Sequence, residues 1–226
     1  MKQIARRCDL TVATTYHLVR TLAYEGYVMR RDDGTYIVGV EIADRYRELV
    51  AALRGPPAVH DVLRRAVTET GYSHALGQFV SGRVTVIAAA DGPRTPYQDE
   101  LVVGFDDATH ATALGKVLLS TLAADQRWRY LKESGMRAYT SQTLTSPEAF
   151  DADLAAGDRR GMQVEIGQLR TGLASAAVLA VNDREPERRI ALSCAVPAND
   201  LMTSAKTIRT RLLATAHAVS EAFKEP

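Results

Sequence analysis

Residues Lys2 to Gly39 set two helix-length segments, a three-residue turn and a short hairpin in an order that few folds can use. Ile4-Ala5-Arg6-Arg7 predicts a short helix, and Cys8-Asp9-Leu10 predicts a turn. Thr11 to Tyr24 (TVATTYHLVRTLAY) predicts a second helix, with the Thr11 hydroxyl placed to cap the free N–H groups of its first turn. Gly26-Tyr27 stops it. Val28 to Gly39 (VMRRDDGTYIVG) predicts a two-stranded hairpin turned by Asp33-Gly34. Helix, tight turn, helix and hairpin make most of a winged helix-turn-helix, whose second helix fits the major groove of DNA.

At about 100 degrees per residue, Thr14, Thr15, Leu18 and Leu22 fall on one side of the second helix and are expected to pack inward. Val12, Ala13, Tyr16, His17 and Arg20 fall on the other. Tyr16 and His17 are expected at base edges, and Thr14, Arg20 and Arg31 at phosphates. An ordinary surface helix with a polar face would show the same periodicity. The wing separates the two, because Arg30 and Arg31 flank its turn where a DNA backbone would pass. Up to Arg31 the chain carries six basic residues against two acidic ones, a net of +4, while the whole has a formal charge of +1. A basic module on a near-neutral body suits local phosphate contact and excludes a general polyelectrolyte coat.

A chain of 226 residues has room for two compact domains. Its two cysteines, Cys8 and Cys194, fall in different predicted domains and lack metal-site spacing, so neither a disulfide nor zinc is expected. Apolar runs such as Ala174 to Val181 are too short to span a bilayer, and no secretory signal opens the chain. A cytoplasmic protein without cofactor is the expectation.

Glu41 to Leu53 has Ile42, Tyr46, Leu49 and Leu53 at helical spacing, which predicts a linker helix whose apolar seam also dimerises. A helix packed flat on the following domain is the alternative. Gly55-Pro56-Pro57 breaks it. Helices are then expected over Val59–Thr70, Ala111–Leu122, Ala124–Glu133, Ser146–Arg160 and Ser204–Phe223. Strands are expected over Ser73–Val80, Arg83–Ala90, Glu100–Val103, Gln163–Ile166, Leu173–Val181 and Arg189–Val196. The class is α+β, an antiparallel sheet with helices against it. The domains expected are residues 1–40, a linker at 41–55 and a second domain at 56–226.

His110, Ser175 and Cys194 raise the question of catalysis. No nucleophile elbow, phosphate loop or paired nucleophile and base is legible, and His60, His74 and His217 stand singly. No catalytic residue is assigned.

The segment IARRCDLTVATTYHLVRTLAYEGYV with the wing RRDDGTYIVGVEI resembles the DNA-binding domain of the IclR family of bacterial transcription regulators. HATALGKVLL, TLTSPEAFDADLAAGDRRGMQVE and IALSCAVPANDL resemble successive parts of that family's effector-binding domain, in the same order. The resemblance implies a GAF-like fold for the second domain. It also implies a regulator that binds operator DNA as a homodimer or dimer of dimers, controlled by a small organic effector. The effector site it implies is a cup formed by Asp107, Thr109, His110, Ala111 and Thr112 with Glu165, Leu173, Ser175 and Ser193 opposite. A helix N-terminus there would suit an anion. Ser175 stands where many relatives carry Cys, and Asp106-Asp107 would repel an anion unless turned outward, which keeps a neutral or cationic effector open. Such relatives usually have one more helix ahead of Lys2. Without it, the Leu18–Leu22 seam is expected to be exposed. The alternative function is a stand-alone GAF-like binding or catalytic domain with a vestigial DNA-binding segment.

Overall fold

The computed structural model describes residues 1–53, 55–95, 104–105 and 107–224, the side chains of 53, 104 and 105 excepted. The chain divides into two compact units, Met1–Leu53 and Arg54–Pro226.

The first unit holds α1 (Lys2–Arg7), α2 (Val12–Tyr24), a hairpin of β1 (Val28–Arg30) and β2 (Tyr36–Val38), and α3 (Glu41–Leu53). Asp9, at φ 51, turns the chain between α1 and α2. The Thr11 side chain accepts the Thr14 N–H and caps α2 as expected. The inward face of α2 agrees with expectation at Thr15 and departs from it elsewhere. Thr15 and Val19 are buried, whereas Thr14 is exposed and Leu18 and Leu22 are 49% and 42% exposed. The elements that pack on α2 are α1, with its buried Ala5, and β1, and together they cover the Thr15–Val19 line only.

The second unit is a six-stranded antiparallel sheet in the order β5-β4-β3-β8-β7-β6. Its strands are β3 (Ser73–Val80), β4 (Arg83–Ala90), β5 (Gly104–Phe105), β6 (Gln163–Ile166), β7 (Leu173–Val181) and β8 (Ile190–Pro197). The strand expected at 100–103 lies outside the described residues. Ser81 and Gly82, both at positive φ, turn β3 into β4. α4 (Pro57–Thr70) and α8 (Ala198–Ala222) cover one face of the sheet. On the other, α5 (Ala113–Ser120), α6 (Ala124–Ser134) and α7 (Pro147–Arg160) build a core of Leu114, Val117, Leu118, Leu131, Phe150 and Leu154 against Ala75, Ala177 and Ala191.

α4 starts two residues earlier than expected, and α5 and α8 depart from their expected bounds in ways that bear on the site. The one expected from Ala111 begins only at Ala113, after a 3₁₀ turn over Thr109–Ala111, because Thr112 is extended and caps it by accepting the Gly115 N–H. Gly115 permits that fold-back: a Cβ there would sit 2.0 Å from the Thr109 carbonyl oxygen. The closing helix starts at Ala198 rather than Ser204, and Ser204 marks a kink with non-helical angles inside it.

Candidate functional site

On the first unit, the outward side of α2 carries Val12, Ala13, Thr14, Tyr16, His17 and Arg20, all exposed. Tyr16 and His17 stand edge to face, ring centroids 6.0 Å apart. Arg30 and Arg31 are exposed at the hairpin, where the Arg31 N–H donates to Thr35 O at 2.8 Å. Asp33 Oδ1 accepts both the N–H and the hydroxyl of Thr35, which hold its carboxyl below the usual range. That carboxylate is spent inside the turn. Arg20, Arg30 and Arg31 form no ion pair among the described residues.

On the second unit, the N-terminus of α5 meets β6 and β7. Ser175 on β7 stands opposite Glu165 on β6. Ser175 Oγ accepts the Ala113 N–H at 3.2 Å and donates to Glu165 Oε1 at 3.0 Å. Glu165 Oε2 accepts the Gln168 N–H at 3.0 Å. Burial pushes the Glu165 carboxyl up, against these hydrogen bonds and the nearby Lys116. Two N–H groups of the first turn of α5, Ala113 and Gly115, are thus occupied by the hydroxyls of Ser175 and Thr112.

Lys116, one turn on, is 0% exposed and was not foreseen as part of the site. Its Nζ donates to Asp153 Oδ2 at 2.6 Å and to the Val164 carbonyl at 3.0 Å. Burial lowers its pKa and Asp153 opposes that shift. A lysine flanked by Leu114, Val117 and Leu118 was the available signal, since a charge on an apolar helix is seldom buried unpaired. Nothing local marks Asp153 on α7 as its partner. Gln168, 8% exposed, places a buried side-chain oxygen here without a hydrogen-bond partner among the described residues.

The expected cup is therefore only partly assembled. Thr112, Glu165 and Ser175 come together, and Leu173 is half-buried at the start of β7. Ser193 lies farther along the same sheet face, buried, with its hydroxyl 3.4 Å from Ala75 O. Ala111, the last residue of the 3₁₀ turn, is fully buried. His110 turns to the 135–140 loop: its Nε2 lies 2.9 Å from Arg137 O, its ring leans on Tyr139, and burial lowers its pKa. Thr109 is buried with its hydroxyl 3.2 Å from that of Tyr130. Asp107 departs furthest from expectation. Its side chain is 84% exposed and pairs with Arg83 at 3.0 Å. It points outward, and Asp106 lies outside the described residues.

Residues 57–221 match the family described as "Bacterial transcriptional regulator IclR C-terminal", and residues 1–32 match "IclR helix-turn-helix domain". The chain is 24% identical over 196 residues to the transcriptional repressor IclR of Escherichia coli, covering 85% of this chain and 72% of that one. Among solved structures, the IclR of Thermotoga maritima superposes with a TM-score of 0.67 at 21% identity, over 98% of this chain and 90% of the other. An IclR homologue from Microbacterium hydrocarbonoxydans, complexed with 4-hydroxybenzoate, superposes with a TM-score of 0.72 at 18% identity, over 100% and 91%.

Proposed function

The chain belongs to the IclR family of bacterial transcription regulators, and we propose that it binds operator DNA through α2 and the wing, under the control of one small organic effector. The observation that carries this reading is the pair of family matches, in order along the chain, combined with an α2 face whose polar and basic side chains are all exposed. Dimerisation through α3 is supported by its seam, where Ile42, Tyr46 and Leu49 are 44%, 42% and 41% exposed and share one side of the helix. A two-fold dimer, or a dimer of two such dimers, would present two reading helices to half-sites about one helical turn or a multiple apart.

The effector would sit against Thr112, Glu165, Leu173 and Ser175. With the Ala113 and Gly115 N–H groups already bonded and a buried carboxyl in the wall, a neutral or cationic hydrogen-bond donor suits the site better than a small anion. Ser175 Oγ and Glu165 Oε1 stand 3.0 Å apart, but the hydroxyl also accepts the Ala113 N–H and the carboxyl also accepts the Gln168 N–H. Both are engaged in bonds that hold the fold, and the reading is an effector that is bound and not turned over.

Thermal-shift screening of the full chain against aromatic acids (4-hydroxybenzoate among them), aliphatic acids, neutral phenols and cationic amines tests this reading. A ligand at a hundred times its dissociation constant stabilises by about 2.7 kcal/mol. The hit should change affinity for genomic fragments that the protein retains. Ser175→Leu should abolish the shift and leave the unliganded protein folded. Product accumulating from the hit would make the protein an enzyme instead.

A further inference from the structure

A cavity lies on the opposite face of the sheet from Ser175. Adjacent strand residues alternate between faces. Ser193, opposite Ala75, shares the α5 side, whereas Cys194, opposite His74, faces α4 and α8. Between those helices and the sheet is a cavity of about 240 Å³ lined by Tyr72, His74, Cys194, Ser204, Ile208 and Leu212. The kink of α8 at Ser204 is part of its wall.

Its chemistry is specific. His74 is only 2% exposed, and its Nδ1 lies 2.9 Å from the Tyr72 carbonyl. A carbonyl can only accept, so Nδ1 carries the proton and the neutral ring keeps its lone pair on Nε2. Burial lowers the His74 pKa and favours that neutral form. Nε2 has no hydrogen-bond partner among the described residues, although His74 lines the cavity. The neighbouring Cys194 thiol is pushed up to about 12 by burial and stays protonated. At the mouth, Arg94 pairs with Asp200 at 2.6 Å and Arg211 with Glu69 at 3.1 Å, so the rim charges cancel. Ile208 and Leu212 are buried apolar walls.

We propose that this cavity is a second small-molecule site, for an uncharged one-ring compound whose single hydroxyl donates to His74 Nε2. A formal charge on the ligand would find no net opposite charge at the rim and an apolar interior, which costs desolvation without return. A ring without a donor would leave Nε2 unsatisfied, the cost of a buried acceptor without a partner.

Phenol is the probe, with toluene as its donor-free match, and the readout is the histidine side-chain nitrogen signals of the ¹⁵N-labelled full chain. Phenol should move the His74 Nε2 signal upfield and saturably, and toluene should leave it in place. Ser204→Trp, at an exposed position on the cavity wall, should block the response. Ser175→Leu, on the other face, should keep it. His74→Phe should weaken phenol binding about 2- to 10-fold, the worth of one hydrogen bond. An unmoved His74 signal overturns the site, as does a response that survives Ser204→Trp or vanishes in Ser175→Leu. Because Ser175→Leu fills only the α5 face, its phenol response is read independently of the effector screen.

Discussion

Ser175 and Glu165, side by side on neighbouring strands, share one hydrogen bond of 3.0 Å, and it ties the carboxyl indirectly to the first N–H of α5. The Glu165 carboxyl has its pKa raised, chiefly by burial. A group with a raised folded pKa binds more protons folded than unfolded. Its stabilising contribution is full below the ordinary carboxylate range and is lost as pH rises through the folded value. Glu165→Gln can still offer its oxygen to the Gln168 N–H and its NH₂ to Ser175 Oγ, with no charge to bury. The melting temperature of the variant relative to wild type should therefore rise between acid and neutral pH. Parallel melting curves for the two proteins across that range would exclude a buried, titrating Glu165.

Lys116 and Asp153 should respond unequally to removal. Lys116 is wholly buried, whereas the Asp153 side chain is 24% exposed. Asp153→Ala leaves the buried ammonium with the Val164 carbonyl as its one hydrogen-bond partner among the described residues and Glu165 as its nearby carboxyl, and breaking such a pair costs about 3–5 kcal/mol. Lys116→Met fills the same volume with an apolar chain and leaves a carboxylate that water can reach, so it should cost clearly less. Urea denaturation of both variants measures the difference. Equal losses would mean that the ammonium is not the buried partner.

On the first unit, Arg31→Ala should weaken binding to all DNA sequences alike and lower the salt slope by about one phosphate contact. His17→Ala should change which operator is preferred, by about 1–3 kcal/mol for a lost base contact. Titrations at several salt concentrations separate the two effects. A sequence-independent loss from His17→Ala would move that residue from base to backbone.

The α3 seam can be tested without DNA. Ile42→Glu combined with Leu49→Glu places two charges where apolar contact between chains is proposed, and should split the proposed dimer. Light scattering reads the particle mass directly. A mass unchanged from wild type would locate the dimer contact elsewhere.

Much of the architecture was legible locally. Thr11 and Ser146 could be placed as helix caps, Asp33-Gly34 and Ser81-Gly82 as turns, and β3, β4, β6 and β7 at their observed bounds, because each depends on the chemistry of a few adjacent residues. Periodicity also found the outward face of α2, since exposure there needs only the absence of a covering element. It misjudged the inward face: which of two apolar lines is buried depends on where α1 and β1 lie, and the Thr15–Val19 line won over Leu18–Leu22.

The site divides along the same line. The residues themselves determined that α5 is apolar, that Ser175 sits on a strand, and that no catalytic group stands beside another in sequence. Only the tertiary structure decided that Asp107 turns out to Arg83, that Lys116 reaches Asp153 37 residues on, and that Ser175 meets the Ala113 N–H across 62. Ser175 and Ala113 meet because the sheet order sets β6 and β7 against α5. A hydrogen bond between distant residues leaves no periodic trace in the chain. Its presence follows from which faces are buried together, and burial is a property of the assembled layers.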